Sequence, residues 1–293
     1  MRPGAGTDFG WSGMQISTQI LVLAAQVLLY LDIAHAKSAG RKPPMGWMSW
    51  EHQGCQRDCA VNPDNCVSAK LYQGIADELV AGGYAAKGYT WVDVDDCFLG
   101  KRDPVTHELK ADESRFPGGI TALAEYMHAR GLSLGIYNDI GPGTCAGDPG
   151  LNVSAVPDAR ADAQLKKDAE TFASWGIDSI KIDGCGGNKD EMNVTYPKLG
   201  AALNATGRQI FYTCSWPVYE SLGVPDCNST YGYDCLPWQL LTDSCNSWRI
   251  DKDIMDTFYL PGHSGVRNII EHMAEANGTL AKWQRPGAYN DPE

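Results

Sequence analysis

The chain has 293 residues, 43% of them hydrophobic, with nine Trp and 13 Tyr. A polypeptide of this composition can bury a large core and is not disordered. Its 24 basic residues against 36 acidic ones leave a net charge of −12, so no basic stripe is available to displace counterions from a phosphate backbone, which argues against a nucleic-acid partner.

The first segment reads as a targeting signal. Arg2 precedes an apolar run over 20–31 that is broken only by Gln26, and the run leads to Ala34-His35-Ala36, a small-x-small cleavage pattern. Met14 offers an internal start that would give a more ordinary leader length. A membrane anchor needs about 20 apolar residues, whereas this run is shorter and has Asp32 near its end. Residues 1–36 are therefore expected to be a signal peptide, with no membrane span after its cleavage. Ten cysteines, and N-x-S/T sequons at Asn152, Asn193, Asn204, Asn228 and Asn277, fit the same oxidising secretory route.

From Pro43 onward, short β-branched or aromatic runs alternate with longer helical patterns. The sequence predicts strands over 45–50, 89–95, 132–137, 178–183, 209–214, 246–250 and 287–290, with amphipathic helices such as 68–81, 120–130, 161–175 and 266–276 between them. Strict βα order with a polar residue at nearly every strand end points to a (β/α)8 barrel, a TIM barrel, rather than an open doubly wound sheet. Seven predicted strands make residues 37–293 a catalytic barrel that stops before its last βα unit.

In such a barrel the functional residues sit at the C-terminal ends of the strands. There the chain places Asp95-Asp96, Tyr137-Asn138-Asp139, Lys181-Ile182-Asp183, Ser215-Trp216, and Arg249 with Asp253. Lys181 and Asp183 are two apart on one strand and point to the same side, where a cation lowers the pKa of a carboxyl group and keeps it ionised as a nucleophile. A buried structural ion pair is the bland reading of the same two residues. A Schiff-base role for Lys181 is a further alternative that the neighbouring carboxylate works against. A retaining glycosidase needs a second carboxyl group, protonated when the leaving group departs. Asp253 is the candidate and Asp251 and Asp256 are its competitors; each of the three also reads as a helix cap. Trp47, Trp50, Trp91, Trp216 and Trp248 lie near strands, where an aromatic face is either core or a platform for a sugar. The scattered histidines and the absence of a Cys-x-x-Cys pair imply no metal and no cofactor.

Several pieces together resemble glycoside hydrolase family 27, the α-galactosidases and α-N-acetylgalactosaminidases. They are Pro44-Met45-Gly46-Trp47, Asp95-Asp96-Cys97, the run from Arg115 to Ile120, Leu134-Gly135-Ile136-Tyr137, the run from Lys181 to Cys185, Cys214-Ser215-Trp216-Pro217 and Asn290-Asp291-Pro292, in family order from about residue 43 to the end. The resemblance implies a retaining double displacement, with Asp183 as nucleophile and Asp253 as acid/base. It places Trp50, Asp95, Asp96, Tyr137, Lys181, Cys185, Ser215, Val218, Tyr219, Arg249 and Glu293 around the sugar, Glu293 standing where the family usually carries Asp. It also implies disulfides joining Cys55 to Cys97, Cys59 to Cys66, Cys145 to Cys185 and Cys214 to Cys245. Cys227 and Cys235, left over in a segment without a recognised counterpart, would then form a fifth bridge, Cys227–Cys235.

The resemblance thus implies a secreted or lysosomal hydrolase of terminal α-linked N-acetylgalactosamine or galactose on glycoconjugates, a homodimer when full length. The family's last βα unit and C-terminal β-sandwich have no counterpart in the sequence. Two alternatives stand beside this expectation: a plain α-galactosidase, and a truncated sugar-binding pseudoenzyme without catalysis. Specificity turns on Ser215 and Val218. The resembling α-galactosidases carry a larger acidic and a larger aliphatic residue there, and the α-N-acetylgalactosaminidases carry Ser and Ala.

Overall fold

The computed structural model describes residues 1, 40–221, 236–261, 265–275 and 278–291. The expected leader, the Cys227–Cys235 pair, Glu293 and the sequons at Asn228 and Asn277 lie outside the described residues.

Seven strands form one parallel sheet in chain order: β1 (Gly46–Met48), β2 (Trp91–Asp93), β3 (Ser133–Asp139), β4 (Ser179–Asp183), β5 (Phe211–Cys214), β6 (Ser247–Arg249) and β7 (Tyr289–Asp291). Consecutive parallel neighbours need a crossover at every step, and helices supply it. Those that matter for the site are α1 (Trp50–Gln53), α2 (Ala69–Ala81), α3 (Gly119–His128), α4 (Ala159–Ser174), α5 (Met192–Ala205), α6 (Trp216–Ser221), α7 (Trp238–Ser244) and α8 (Val266–Glu275). This is the predicted barrel architecture with seven of its strands, and no pairing joins β7 to β1 among the described residues. No described helix is long and apolar enough to cross a membrane.

Local chemistry fixes where the helices begin. Ser68 accepts from the backbone N–H of Leu71 at the start of α2, and Asp158 accepts from those of Arg160 and Ala161 at the start of α4, each satisfying donors that have no partner within the helix. Strand alternation then separates two environments. On β4, Ile180 and Ile182 are fully buried and join a core that includes Leu123 and Met127 of α3, Leu165 and Phe172 of α4, and Leu199 and Leu203 of α5. Ser179 and Lys181, on the other face, line a cavity of about 100 Å³ in the barrel interior, together with Asp93, Thr213 and Ser247. Gly135 makes that interior possible, because a Cβ there would collide with the Asp93 carboxylate and the Ser179 hydroxyl, which hydrogen-bond to each other at 2.8 Å.

Among the described residues there are four disulfides: Cys55–Cys97, Cys59–Cys66, Cys145–Cys185 and Cys214–Cys245. The first pins the loop after α1 to the segment after β2. Cys214–Cys245 ties the end of β5 to the end of α7.

Asp168 of α4 is fully buried and receives both guanidinium nitrogens of Arg102, at 2.7 and 2.8 Å, with Gln164 as a third donor at 3.0 Å. The pair anchors the loop after β2 to the helix of the next βα unit along the chain. Asp168→Ala leaves the Arg102 charge unpaired in a half-buried setting, and the expected loss of stability is about 3 kcal/mol, measured as a lower denaturation midpoint in urea at neutral pH.

Candidate active site

The carboxyl ends of β2 to β6 bring Asp95, Tyr137, Lys181, Asp183, Ser215 and Arg249 together. Asp183 closes β4 and is 5% exposed. One of its oxygens accepts from the Tyr219 hydroxyl at 2.7 Å and from the backbone N–H of Gly184 at 3.0 Å. The other accepts from the Tyr137 hydroxyl at 2.9 Å. Arg249 of β6 brings a guanidinium nitrogen to 3.9 Å from the carboxylate. Burial pushes the Asp183 carboxyl up, but Arg249, then Lys181, then the Tyr219 and Tyr137 hydroxyls outweigh it and hold the group below the ordinary carboxylate value. Asp183 is therefore an anion kept dry and charged.

Strand period alone makes Lys181 the cation beside Asp183. Its direct partner is instead Asp95, at 2.9 Å, and the stronger influence on Asp183 is Arg249. The reason is spatial: side chains at Lys181 and Asp183 share a face but lie one pleat apart, whereas Asp95 rises from the neighbouring part of the barrel to meet the ammonium group. Asp96 is bound by the backbone N–H groups of Cys97 at 2.7 Å and Ala146 at 2.9 Å, and burial leaves its carboxyl raised in spite of them.

Arg249 is shared. Its second nitrogen pairs with Asp253, four residues on and just past β6, whose side chain is 47% exposed. One guanidinium thus stands between a buried carboxylate and a solvent-facing one. Of the competitors, Asp251 is paired with His272 of α8 at 3.1 Å and Asp256 lies further along the loop, lining a second cavity with Glu51 and His52.

The Cys145–Cys185 disulfide runs along the site. Cys145 Sγ lies 3.3 Å from Asp183, and both tyrosine hydroxyls approach the sulfurs, Tyr137 at 3.1 Å from Cys145 and Tyr219 at 3.2 Å from Cys185. A disulfide sulfur has no proton to donate, so the contact with Asp183 is packing and not a hydrogen bond. The same bond disposes of a metal there: Asp139, Cys145 and Cys185 are close enough to share an ion, but the two sulfurs are bonded to each other and offer no thiolate.

Ser215 follows β5, is fully buried, and its hydroxyl oxygen has no hydrogen-bond partner. Val218 sits one helical turn on, 4% exposed. Trp50 is half-buried at the first position of α1, while Trp216 and Trp248 are core residues at 1% and 0% exposure. Sequence reasoning named none of the backbone donors at Gly184, Cys97 and Ala146; only the fold shows where those amides point.

Fold and site together define a class: a βα barrel with two carboxyl groups flanking one arginine at the carboxyl ends of its strands. A family model described as Melibiase_2, alpha galactosidase A, matches residues 42–293, and the chain belongs to that family. Human alpha-N-acetylgalactosaminidase is 41% identical over 280 residues, covering 96% of this chain and 61% of that protein. Human alpha-galactosidase A is 34% identical over 278 residues, covering 93% and 59%. Among solved structures, alpha-galactosidase I from Mortierella vinacea aligns with a TM-score of 0.68 at 28% identity, covering 88% of this chain and 60% of that one. The Saccharomyces cerevisiae alfa-galactosidase with raffinose aligns at 0.69 and 26% identity, covering 88% and 53%. The chain spans about three fifths of the length of the curated relatives it matches.

If Arg249 leads in holding Asp183 ionised, Arg249→Met raises the Asp183 titration midpoint more than Tyr219→Phe does. Carboxyl carbon chemical shifts of labelled Asp, followed through an acid titration, read both displacements. A midpoint that stays put in Arg249→Met contradicts the electrostatic account.

Proposed function

We propose that the chain carries the catalytic site of a retaining glycosidase that releases terminal α-linked N-acetylgalactosamine from glycoconjugates and also accepts α-linked galactose. The observation that carries the proposal is the unequal pair of carboxyl groups around Arg249: Asp183 buried and held ionised, Asp253 half-exposed and bonded to the same guanidinium. Relatives named alpha-N-acetylgalactosaminidase and alpha-galactosidase support the substrate class.

In the first half-reaction an Asp183 oxygen attacks the anomeric carbon while Asp253 gives its proton to the departing glycosidic oxygen. The developing ester takes the negative charge off Asp183, and the hydroxyls of Tyr137 and Tyr219 keep its oxygens aligned. In the second half a water, deprotonated by Asp253, attacks the same carbon and frees Asp183. Two inversions at one carbon retain the anomeric configuration. Asp95 and Lys181, joined as an ion pair at the floor of the site, and Asp96 offer charged acceptors and donors for sugar hydroxyls, and Trp50 offers an apolar ring face. Secretion with cleavage of the leader, a lysosomal or extracellular destination, and homodimerisation of the full-length protein belong to the same proposal, supported by the four disulfides.

Asp183→Asn is expected to lower turnover by about a thousandfold or more, roughly 4 kcal/mol of barrier, while sugar binding persists, because the amide keeps the shape and cannot form the ester. Calorimetric titration with free sugar alongside initial rates tests both halves, and a variant within about tenfold of wild type ends the assignment. Asp253→Asn should slow natural glycosides far more than aryl glycosides whose leaving groups need no proton; equal damage to both means that Asp253 is not the acid.

The specificity expectation rests on Ser215 and Val218. Ser215 leaves a buried hydroxyl without a partner where a carboxylate would crowd an acetamide. Val218 narrows that room by less than a longer aliphatic chain would. One or two methyl groups discriminate by about 1–3 kcal/mol, so kcat/KM for p-nitrophenyl α-N-acetylgalactosaminide should exceed that for the α-galactoside, with both cleaved. Cleavage of the galactoside alone would make the protein a plain α-galactosidase.

A further inference from the structure

Asp139 stands directly opposite Asp183 in the register of β3 and β4, and the reaction above does not use it. It is fully buried. One of its oxygens accepts from the backbone N–H of Gly141 at 2.7 Å and of Gly186 at 3.2 Å; the other has no hydrogen-bond partner. These two amides belong to the two loops that carry Cys145 and Cys185, and the loops meet there, since a Cβ on Gly141 would fall inside the backbone of Gly186. A carboxyl group is thus clamped beside the nucleophile by the same loops that the disulfide joins.

Like charges at facing positions of neighbouring strands repel, the more so when buried. The groups facing Asp139 are Asp183 from β4, the amides of Gly141 on its own loop and of Cys185 and Gly186 on the β4 loop, and the hydroxyls of Tyr137 on its own strand, Tyr196 on α5 and Tyr219 on α6. Burial and the Asp183 charge prevail over the amides and push the Asp139 carboxyl up to about 6. Asp183, held low by its cations, loses its proton first.

We propose that Asp139 is a positioning residue whose proton is coupled to the covalent cycle: it holds a proton while Asp183 is a free carboxylate and releases it while Asp183 is the glycosyl ester. This rests on the reading of Asp183 as nucleophile. As the bond from Asp183 to the anomeric carbon forms and the glycosidic bond breaks, the Asp253 proton leaves with the aglycone and the Asp183 charge disappears; Asp139, relieved of its neighbour, gives its proton to water. When water cleaves the ester, its proton goes to Asp253, Asp183 regains its charge, and Asp139 takes a proton back from solvent. Linkage makes the effect reciprocal: ionised Asp139 favours the ester, and protonated Asp139 favours its hydrolysis.

The test uses the full-length protein and Asp139→Asn, whose amide oxygen still accepts from both backbone N–H groups but which has no proton to exchange. Rapid quenching during turnover of an activated aryl α-glycoside, followed by intact mass spectrometry, gives the fraction present as glycosyl-enzyme. An ionised Asp139 also opposes the return of charge to Asp183 in the transition state of ester hydrolysis, so the ratio of that fraction, wild type over variant, should rise about threefold or more between about pH 5 and about pH 7; an unchanged ratio overturns the proposal. A second arm needs no turnover. Because the folded value of Asp139 lies above its ordinary value of 3.8, its contribution to stability is complete at low pH and is lost as pH rises through about 6. Asp183→Asn removes the like charge, so the fall in thermal midpoint between about pH 5 and about pH 7 should be smaller than in wild type. Equal falls overturn the coupling, whereas absent turnover with unequal falls overturns only the glycosidase reading.

Discussion

A carboxylate taken out of water survives as an anion only where fixed charges and donors replace its hydration shell. Asp183 meets that condition through groups from four separate stretches of chain: Tyr137 of β3, Lys181 on its own strand, Tyr219 of α6 and Arg249 of β6. The barrel brings them together because each strand end delivers one side chain to a common mouth. The guanidinium of Arg249 is the keystone, since it also holds Asp253. Losing it would weaken the hold on both carboxyl groups at once, leaving the buried one to Lys181 and the two tyrosine hydroxyls and the other to solvent.

The loops above the strands are held by a second set of constraints. Cys145–Cys185 joins the loop after β3 to the loop after β4, and Asp139 binds an amide from each. Together the bridge and the carboxyl group fix the hydroxyls and amides that surround Asp183. Below them the barrel interior is polar, with Lys181 and Asp95 paired and Asp93 bonded to Ser179. This interior tolerates its charged groups because they find partners across the sheet.

Much of this was legible in the residues. Strand ends that switch from β-branched to acidic marked the barrel and its working face, and β4 showed Lys181 and Asp183 on one side by period alone. Boundaries shifted by a residue or two: β3 runs on to Asp139 beyond its expected end at 137, and β1 is cut short at Met48 as the chain turns into α1. Helix α5 gives a weak helical signal because Pro197 and Gly200 interrupt it, although tertiary packing of Tyr196, Leu199 and Leu203 sustains it. Arg249 as the main partner of Asp183 was not legible, since the two lie far apart along the chain and only strand order makes them neighbours. The disulfides likewise came from family likeness, because pairing among ten cysteines is not encoded in their spacing. Asp139 could be named as one of three polar residues at a strand end, but not given a role. An acidic residue just past a strand reads as a cap or a turn until its register partner is known.

The two carboxyl groups differ in how firmly they are mounted. Asp183 is the last residue of a strand with neighbours on both sides, while Asp253 follows β6 on a half-exposed loop that runs through Met255, Phe258 and Tyr259, all turned to solvent. Segments with few buried contacts open first when a protein is warmed. Heat would therefore loosen this molecule from the outside inwards, Asp253 drifting away from Arg249 while the barrel and its buried anion are still folded.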